Sequence, residues 1–411
     1  MLARLAWRNT FRHTRRTIIT ALAIAGGITF LILFDTLYGG MKNQSARVVL
    51  DYENSSLVLL PEDNIEDYRF NPLDDLIENP REAITVVEEH PAVASAAPRL
   101  RFNASLNVAG DELIAMGMGL DPELDPGVFR LDEEMEEGSF LQADGDLVVG
   151  SGLAQDLGVA AGDVVMVTTR TKRGVWDVRQ YTITGIINSG SILVNNNAIL
   201  VTLSDAQTFL ETGDAASEVN ILVPGNPKDL DRLEEISADI STVLDGSYDA
   251  YTWREMNAWY FDAFEAEESV AYLLAIIIIV IALVGIVNTM LLSIYERIRE
   301  LGTMRAMGFS PSQIRWLLIA EGAIIGLFAS VAGVGLGILV SWPLVEFGMD
   351  FTNFMKDFDI NMPFDLHLFG RFSPGNIAIT FLFSWIISIL ASLIPAHKAT
   401  KIEPSQALRT V

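Results

Sequence analysis

The side chains that most often do chemistry are scarce or scattered in this sequence. It contains no cysteine, which excludes thiolate ligands, cysteine nucleophiles and disulfides while leaving an oxidising compartment open. The four histidines, His13, His90, His367 and His397, lie far apart, and none stands in an H-x-x-x-H or H-x-E arrangement, so a histidine metal site has no local support. No G-x-x-x-x-G-K-[ST] occurs, nor any Gly-Lys dipeptide, and ATP hydrolysis of the P-loop kind needs that lysine and its phosphate-cradling loop. There is also no G-x-S-x-G and no H-E-x-x-H, the signatures of common serine hydrolases and zinc proteases. No catalytic residue, bound cofactor or metal is expected of this chain.

The most informative polar segment is 295–314, YERIRELGTMRAMGFSPSQI. Ile298, Leu301 and Arg305, with Arg297, Arg299 and Glu300 around them, read as a short amphipathic helix stopped at Gly308. Ser310 then suits an N-cap, Pro311 the first helical position and Gln313 the far side of an S-x-x-Q capping box. A linker that had only to be soluble would not need this punctuation. The plain alternative is a solvated charged turn.

The elements around that segment are membrane spans. Half the residues are hydrophobic, yet the formal net charge is -25, so the two properties must occupy different stretches. A bilayer core of about 30 Å needs about 20 apolar residues at about 1.5 Å rise each. Four stretches qualify: 17–38, 270–293, 314–342 and 376–394. The first is too long for a typical signal core, and its A-x-A, Ala21 to Ala23, falls early in the apolar run, so a retained anchor is expected. Basic residues gather before the first span (Arg4, Arg8, Arg12, Arg15, Arg16), between the second and third (Arg297, Arg299, Arg305, Arg315) and after the fourth (Lys398, Lys401, Arg409). The positive-inside bias then puts both termini in the cytoplasm. Arginines at positions 4, 8, 12 and 16, with Trp7 and Phe11 on another stripe, suit a short elbow helix over 1–16 in the inner headgroup layer.

Residues 41–270 carry 43 acidic against 14 basic residues and form the one large segment on the opposite face. The acidity reads equally as a saline habitat or as a partner's imprint. Helical signals over 80–89 and 230–243, with strands near 101–108, 112–117 and 219–223, predict an α/β subdomain. It is interrupted by a β-rich insert over about 121–204, with strands at 164–169, 181–187 and 198–203. Ser204-Asp205 is the expected cap of the helix after the last of these. Trp253, Trp259, Tyr260, Phe261 and Phe264 suit an aromatic belt, and Met256, Tyr260 and Phe264 share a helical stripe, so the second span is expected to continue outward as a stalk. The fold class is thus an α-helical membrane protein with four transmembrane helices plus an α+β extracytoplasmic domain over 39–269. A cytoplasmic segment over 294–313, an outer loop over 343–375 and a cytoplasmic tail over 395–411 complete the chain.

In the third span Gly322, Gly326, Gly333 and Gly337 form two small-xxx-small pairs that permit close helix approach, with packing inside the chain preferred to packing on a second copy. Glu321, about two turns into that helix, is expected in the headgroup layer, because a bare carboxylate in hydrocarbon is costly. Asp35 invites the same reading.

The sequence resembles the FtsX-like permeases of the MacB and lipoprotein-releasing (LolC/LolE) group of ABC transporters. The likeness rests on Trp7-Arg8-Asn9 with Arg15-Arg16-Thr17, on Glu296 to Gly302 with Arg305 to Gly308, on Glu321-Gly322, and on Leu393 to Ala396 with Pro404 and Ala407 to Arg409. In the outer domain it rests on Gly119 to Pro122, Gly138 to Leu141, Gly150 to Ala154 and Leu157 to Asp163. The resemblance implies that Arg297, Arg299, Glu300, Leu301, Arg305 and Met307 form the surface that docks a separate P-loop ATPase. It also implies two ATPase copies holding ATP and Mg, and a second permease, identical or not. A stalk would transmit closure to the periplasm of a bacterial inner membrane. Lipoproteins and a periplasmic carrier are the implied cargo and receiver, and no nucleic acid is involved. Other members of the group imply a scaffold controlling a periplasmic cell-wall hydrolase, or an export permease of MacB type.

Overall fold

The computed structural model describes residues 2–10, 14–61, 65–108, 110–227, 229–244, 247–351 and 367–401. Phe11 and Arg12 of the expected elbow stripe, the middle of the 343–375 loop and most of the tail, with Pro404 and Ala407 to Arg409, lie outside them. The chain divides into two compact units, Met1–Lys42 with Phe264–Asp350 and His367–Val411, and Asn43–Ala263 with Phe351–Leu366.

Helices α1 (Leu2–Thr10) and α2 (Thr14–Val48) open the chain, and α2 passes into a π-helical turn over Val49–Glu53. Strand β1 (Leu57–Pro61) precedes α3 (Ile65–Phe70) and α4 (Pro80–Glu88), where Pro80 sits at a position whose N–H would have no helical partner anyway. A long hairpin follows, β2 (Ser95–Val108) and β3 (Asp111–Leu120). Then come β4 (Met135–Gly138), β5 (Asp146–Gly150), α5 (Ser151–Leu157), β6 (Val164–Arg170) and β7 (Trp176–Ile187). They are followed by α6 (Ile192–Asn197), β8 (Ala198–Thr202), α7 (Leu203–Leu210) and β9 (Glu218–Leu222). The unit closes with α8 (Leu230–Val243), β10 (Tyr248–Thr252) and α9 (Trp253–Met256). The chain continues as α10 (Ala258–Glu296), α11 (Ile298–Ala306) and α12 (Pro311–Glu346). Last come the ribbon β11 (Met349–Asp350) and β12 (His367–Leu368), and α13 (Pro374–Thr400).

Among the described residues three helices, α2, α12 and α13, are long and apolar enough to cross a membrane by length and composition. Helix α10 is 39 residues, about 58 Å at the usual rise per residue, against an apolar bilayer thickness of about 30 Å. All four outrun the apolar stretches that announce them, because polar continuations such as Asn43-Gln44 carry the helix on without a hydropathy signal. The tail shows the same effect: α13 continues through Pro395 to Thr400, so the first residues of 395–411 are helical. The helical unit is cored by Ile24, Ile28 and Ile32 of α2, Ile286 and Met290 of α10, Ala329 of α12 and Ala391 of α13.

The second unit is built on one ten-stranded sheet, in the order β10-β1-β9-β2-β3-β8-β5-β7-β4, with β6 pairing both β2 and β7. Strands β2, β3, β8, β5, β7 and β6 therefore form a closed circuit, which removes the free edges that an open sheet would expose. The 14-residue β2 makes both halves possible: Ser95–Arg99 pair with β9, while Ala104–Asn107 pair with β6. This moves the boundary of the β-rich part. The expected insert over 121–204 leaves out β2 and β3, which belong to the circuit, because a strand whose two ends pair with different neighbours leaves no mark of it in an apolar pattern. Leu100, Phe102, Leu106, Val149, Val165, Tyr181, Ile183 and Phe209 fill its interior.

Two local expectations are also corrected. The cap of α7 is Thr202, whose hydroxyl accepts from the Asp205 N–H at 3.3 Å, so the helix begins before Ser204. Met256 ends α9 and Asn257 separates it from α10, so Met256 does not share a continuous helix with Tyr260. Trp253, Tyr260 and Phe261 are buried together, with Trp253–Phe261 and Tyr260–Phe261 centroids both 5.1 Å apart, edge to face. Of the described aromatics in that run only Trp259 is exposed, so most of the expected belt is protein core.

Candidate functional site

The segment between α10 and α12 begins at Arg297, which belongs to neither flanking helix: its φ of -101° and ψ of 14° break the helical path. Helix α11 then runs to Ala306, and Gly308 turns the chain at φ 99°, a conformation that a Cβ would strain. The capping box forms as the sequence predicts, with the Gln313 N–H donating to Ser310 Oγ at 3.3 Å and the Ser310 N–H to Gln313 Oε1 at 2.8 Å.

The structure sorts the six residues singled out in this segment into two groups. Arg299, Glu300 and Met307 are exposed, Met307 by 69%. Leu301 is only 4% exposed and packs with Ile294 of α10, Ile314, Leu318 and Ile319 of α12, and Ala396 and Ala399 of α13. Arg305 is partly buried and donates from Nη1 to the Thr400 carbonyl at 3.1 Å, satisfying a backbone oxygen at the end of α13. Arg297 is 5% exposed. Arg297 and Leu301, both expected at a docking surface, are therefore covered by the chain's own helices, whereas Arg299, Glu300 and Met307 are open to solvent.

Arg297 instead faces inward to Glu321. Its Nη1 donates to the two carboxylate oxygens at 3.2 and 3.0 Å, and its Nε to Glu300 Oε2 at 3.3 Å. Asn9 of α1 donates to Glu321 Oε1 at 2.8 Å. Glu321 is thus buried and paired, which offsets the cost of placing a carboxylate nearly three turns inside α12. Removing one member of such a pair strands the other charge, at a cost of about 3–5 kcal/mol. Arg297 and Glu321 each lie in a recognisable motif, but nothing in the sequence says that these residues, 24 apart, meet.

Four of the five glycines of α12, Gly322, Gly326, Gly333 and Gly337, serve contacts inside the chain. A Cβ at Gly322 or Gly326 would run into the side chains of Ser392 or Ser388 on α13. At Gly333 it would stand 2.7 Å from Ile28 Cβ and 3.0 Å from the Ala25 backbone, and at Gly337 2.9 Å from Ile32 Cβ, so this pair seats α2.

The second unit holds its own buried polar network. Arg99 is fully buried, donates to both Asp125 oxygens at 2.7 and 3.0 Å, and stacks on Phe129. Arg101 pairs with Glu218 at 3.0 Å, and Tyr68 donates to the same carboxylate. Glu53 accepts from Ser191 Oγ at 2.7 Å; burial pushes its carboxyl up to about 7, against the opposing pull of the Ser191 hydrogen bond, Arg101 and Arg99. Ser45 and Tyr260 hydroxyls meet at 2.9 Å, and Asn257 Nδ2 donates to Asn54 Oδ1 at 3.0 Å, so the end of α2 and the start of α10 are joined within this unit. Among the described residues no group of acidic, histidine or cysteine side chains is placed to hold a metal.

In chain order a long helix, a sheet-built unit, and a short helix between two further long ones follow one another, and the family comparisons meet this order. The model of the MacB-like periplasmic core domain matches residues 17–243. This chain belongs to that family. The model of the FtsX-like permease C-terminal matches residues 272–404, which covers α11, α12 and α13. The chain is 25% identical over 415 residues to the lipoprotein-releasing system transmembrane protein LolC of Neisseria meningitidis, covering 97% of this chain and 95% of that one. It is 22% identical over 402 residues to the LolE protein of Haemophilus influenzae, covering 95% and 93%. With MacB, a probable export ATP-binding/permease protein of Pseudomonas entomophila, it shares 32% over 136 residues, 33% of this chain and 18% of that one. The chain is an FtsX-like permease with a MacB-like core domain.

Proposed function

We propose that this permease is a subunit of an ABC transporter that passes ATP-driven movement of a separate ATPase to its extracytoplasmic domain, releasing lipoproteins from a bacterial inner membrane. The observation that carries the cargo assignment is the end-to-end likeness to proteins named as lipoprotein-releasing transmembrane components. A second reading, export of MacB type, is favoured by the higher identity of one third of the chain to an export permease.

On this reading four helices span the membrane, over 17–38, 270–293, 314–342 and 376–394, with α10 as the second. Both termini lie in the cytoplasm, and the domain over 39–269 lies outside. The extracytoplasmic domain divides functionally into the α/β part around β1, β9 and β10 and the closed β circuit. Helices α2 and α10 each include residues of both units, which supports transmission along unbroken helix. The docking surface for the ATPase consists of Arg299, Glu300 and Met307, with Arg305 holding α11 against α13. Two ATPases hold ATP and Mg, this chain holds no cofactor, and a second permease completes the pair. A periplasmic carrier receives the lipoprotein.

The test is retention of the ATPase on the purified complex. The double variant Arg299→Glu, Met307→Glu is expected to lower it by at least about tenfold, the scale of losing one or two interface anchors. Undiminished retention overturns the docking assignment.

A further inference from the structure

We propose that the Arg297–Glu321 pair is the joint through which α11 carries α12 and α1 with it, so that the bundle bends at the α10–α11 break. Arg297 is then a positioning residue, not an ATPase contact. This rests on the permease reading above and deepens it by naming where movement enters the bundle.

Three observations lead to it. Between α10 and α11 the backbone departs from helical dihedrals at Arg297, whose N–H is shared between the Ser293 and Ile294 carbonyls, and such a kink is where a change of direction is absorbed most easily. The side chain at that same residue is locked to α12 through Glu321, and Glu321 also takes the Asn9 amide of α1. The rest of α11 is fastened on three sides: Leu301 lies among Ile294 of α10 and Ile314, Leu318 and Ile319 of α12, and Arg305 holds the end of α13. A push on the exposed face of α11 therefore reaches α12 through Leu301 and the Arg297–Glu321 pair and α13 through Arg305, whereas toward α10 it meets the Ile294 contact of Leu301 and the non-helical Arg297.

The pair also has room to adjust. Arg297 Nη2 and Thr20 Oγ1 have no protein partner, and both residues line a cavity of about 50 Å³ with Thr289, Met290, Glu321 and Gly322. A guanidinium with a donor in hand can keep Glu321 while the α10 side of the cavity shifts.

The cysteine-free chain allows a direct test in the complex. Spin labels are attached at Thr303→Cys on α11 and Trp316→Cys on α12 before the ATPase is added. Their separation is then measured without nucleotide and after trapping with ATP and vanadate. With the native pair it is expected to change by less than about 2 Å, the scale of small helix adjustments, and with Glu321→Gln to change by more or to broaden. A larger change with the native pair intact overturns the joint, as does a Gln variant indistinguishable from native. If the Gln variant does not retain the ATPase, the native measurement alone decides. Failure of the native chain to retain any ATPase instead overturns the permease reading.

Discussion

Replacing Glu53 by glutamine probes the polar interior of the extracytoplasmic unit through its pH dependence. In the folded chain burial raises this carboxyl from 4.5 to about 7. The folded state thus holds a proton that the unfolded chain has already released between those values. Stability contributed by the group is complete below pH 4.5 and falls as pH rises through 7. A gap of two to three pK units is worth about 3 kcal/mol, of which about 2–3 kcal/mol is lost between pH 5 and pH 8. The readout is amide hydrogen exchange in the full chain, corrected for the intrinsic rate, over 49–57 and 188–197, the two segments that the Glu53–Ser191 bond joins at 2.7 Å. Protection there should drop by roughly 30- to 150-fold from pH 5 to pH 8 in the native chain, the factor equivalent to that energy. In Glu53→Gln, which keeps an acceptor for Ser191 but cannot ionise, the drop should vanish and protection at pH 8 should exceed native. A native profile flat with pH, or a Gln variant with the same slope, refutes the assignment of a buried protonated carboxyl.

Two further outcomes follow from packing and pairing. Gly333→Ala places a Cβ 2.7 Å from Ile28 Cβ and should destabilise the helical unit by about 1–3 kcal/mol. Gly335→Ala, with nothing within 4 Å, should be neutral or slightly stabilising, and denaturation of the purified chain in detergent separates the two. Arg99→Met strands the buried Asp125 carboxylate and should cost about 3–5 kcal/mol in thermal unfolding. Adding Asp125→Leu should recover part of that loss, since the two residues act as one unit.

What was legible in the sequence was what repeats or punctuates. Long apolar runs announced α2, α10, α12 and α13, helical spacing announced α8, and Ser310, Pro311 and Gln313 announced the start of α12 correctly. Tertiary meetings were not legible. Arg297 and Glu321 read as a surface charge and an interfacial one because each was weighed in its own segment, whereas the end of α10 packs against the first turns of α12 and brings them together. The same holds for β2: alternation shows a strand, but not that its two ends pair with different neighbours. Trp253, Tyr260 and Phe261 suited an interface by composition, and only their packing shows them to be core. The small residues of α12 were recognised as a packing stripe, but assigning Gly322 and Gly326 to α13 and Gly333 and Gly337 to α2 required the bundle itself.

The claim on which all of this depends is that the sheet-built unit and α11 face opposite sides of one membrane. The chain's lack of cysteine makes single-thiol labelling clean. Gln142→Cys and Ala306→Cys, both at exposed positions, are treated separately with a membrane-impermeant maleimide. Labelling at 142 in intact cells, with labelling at 306 only after the membrane is opened, is the predicted result. Equal labelling of both positions in intact cells would contradict the account.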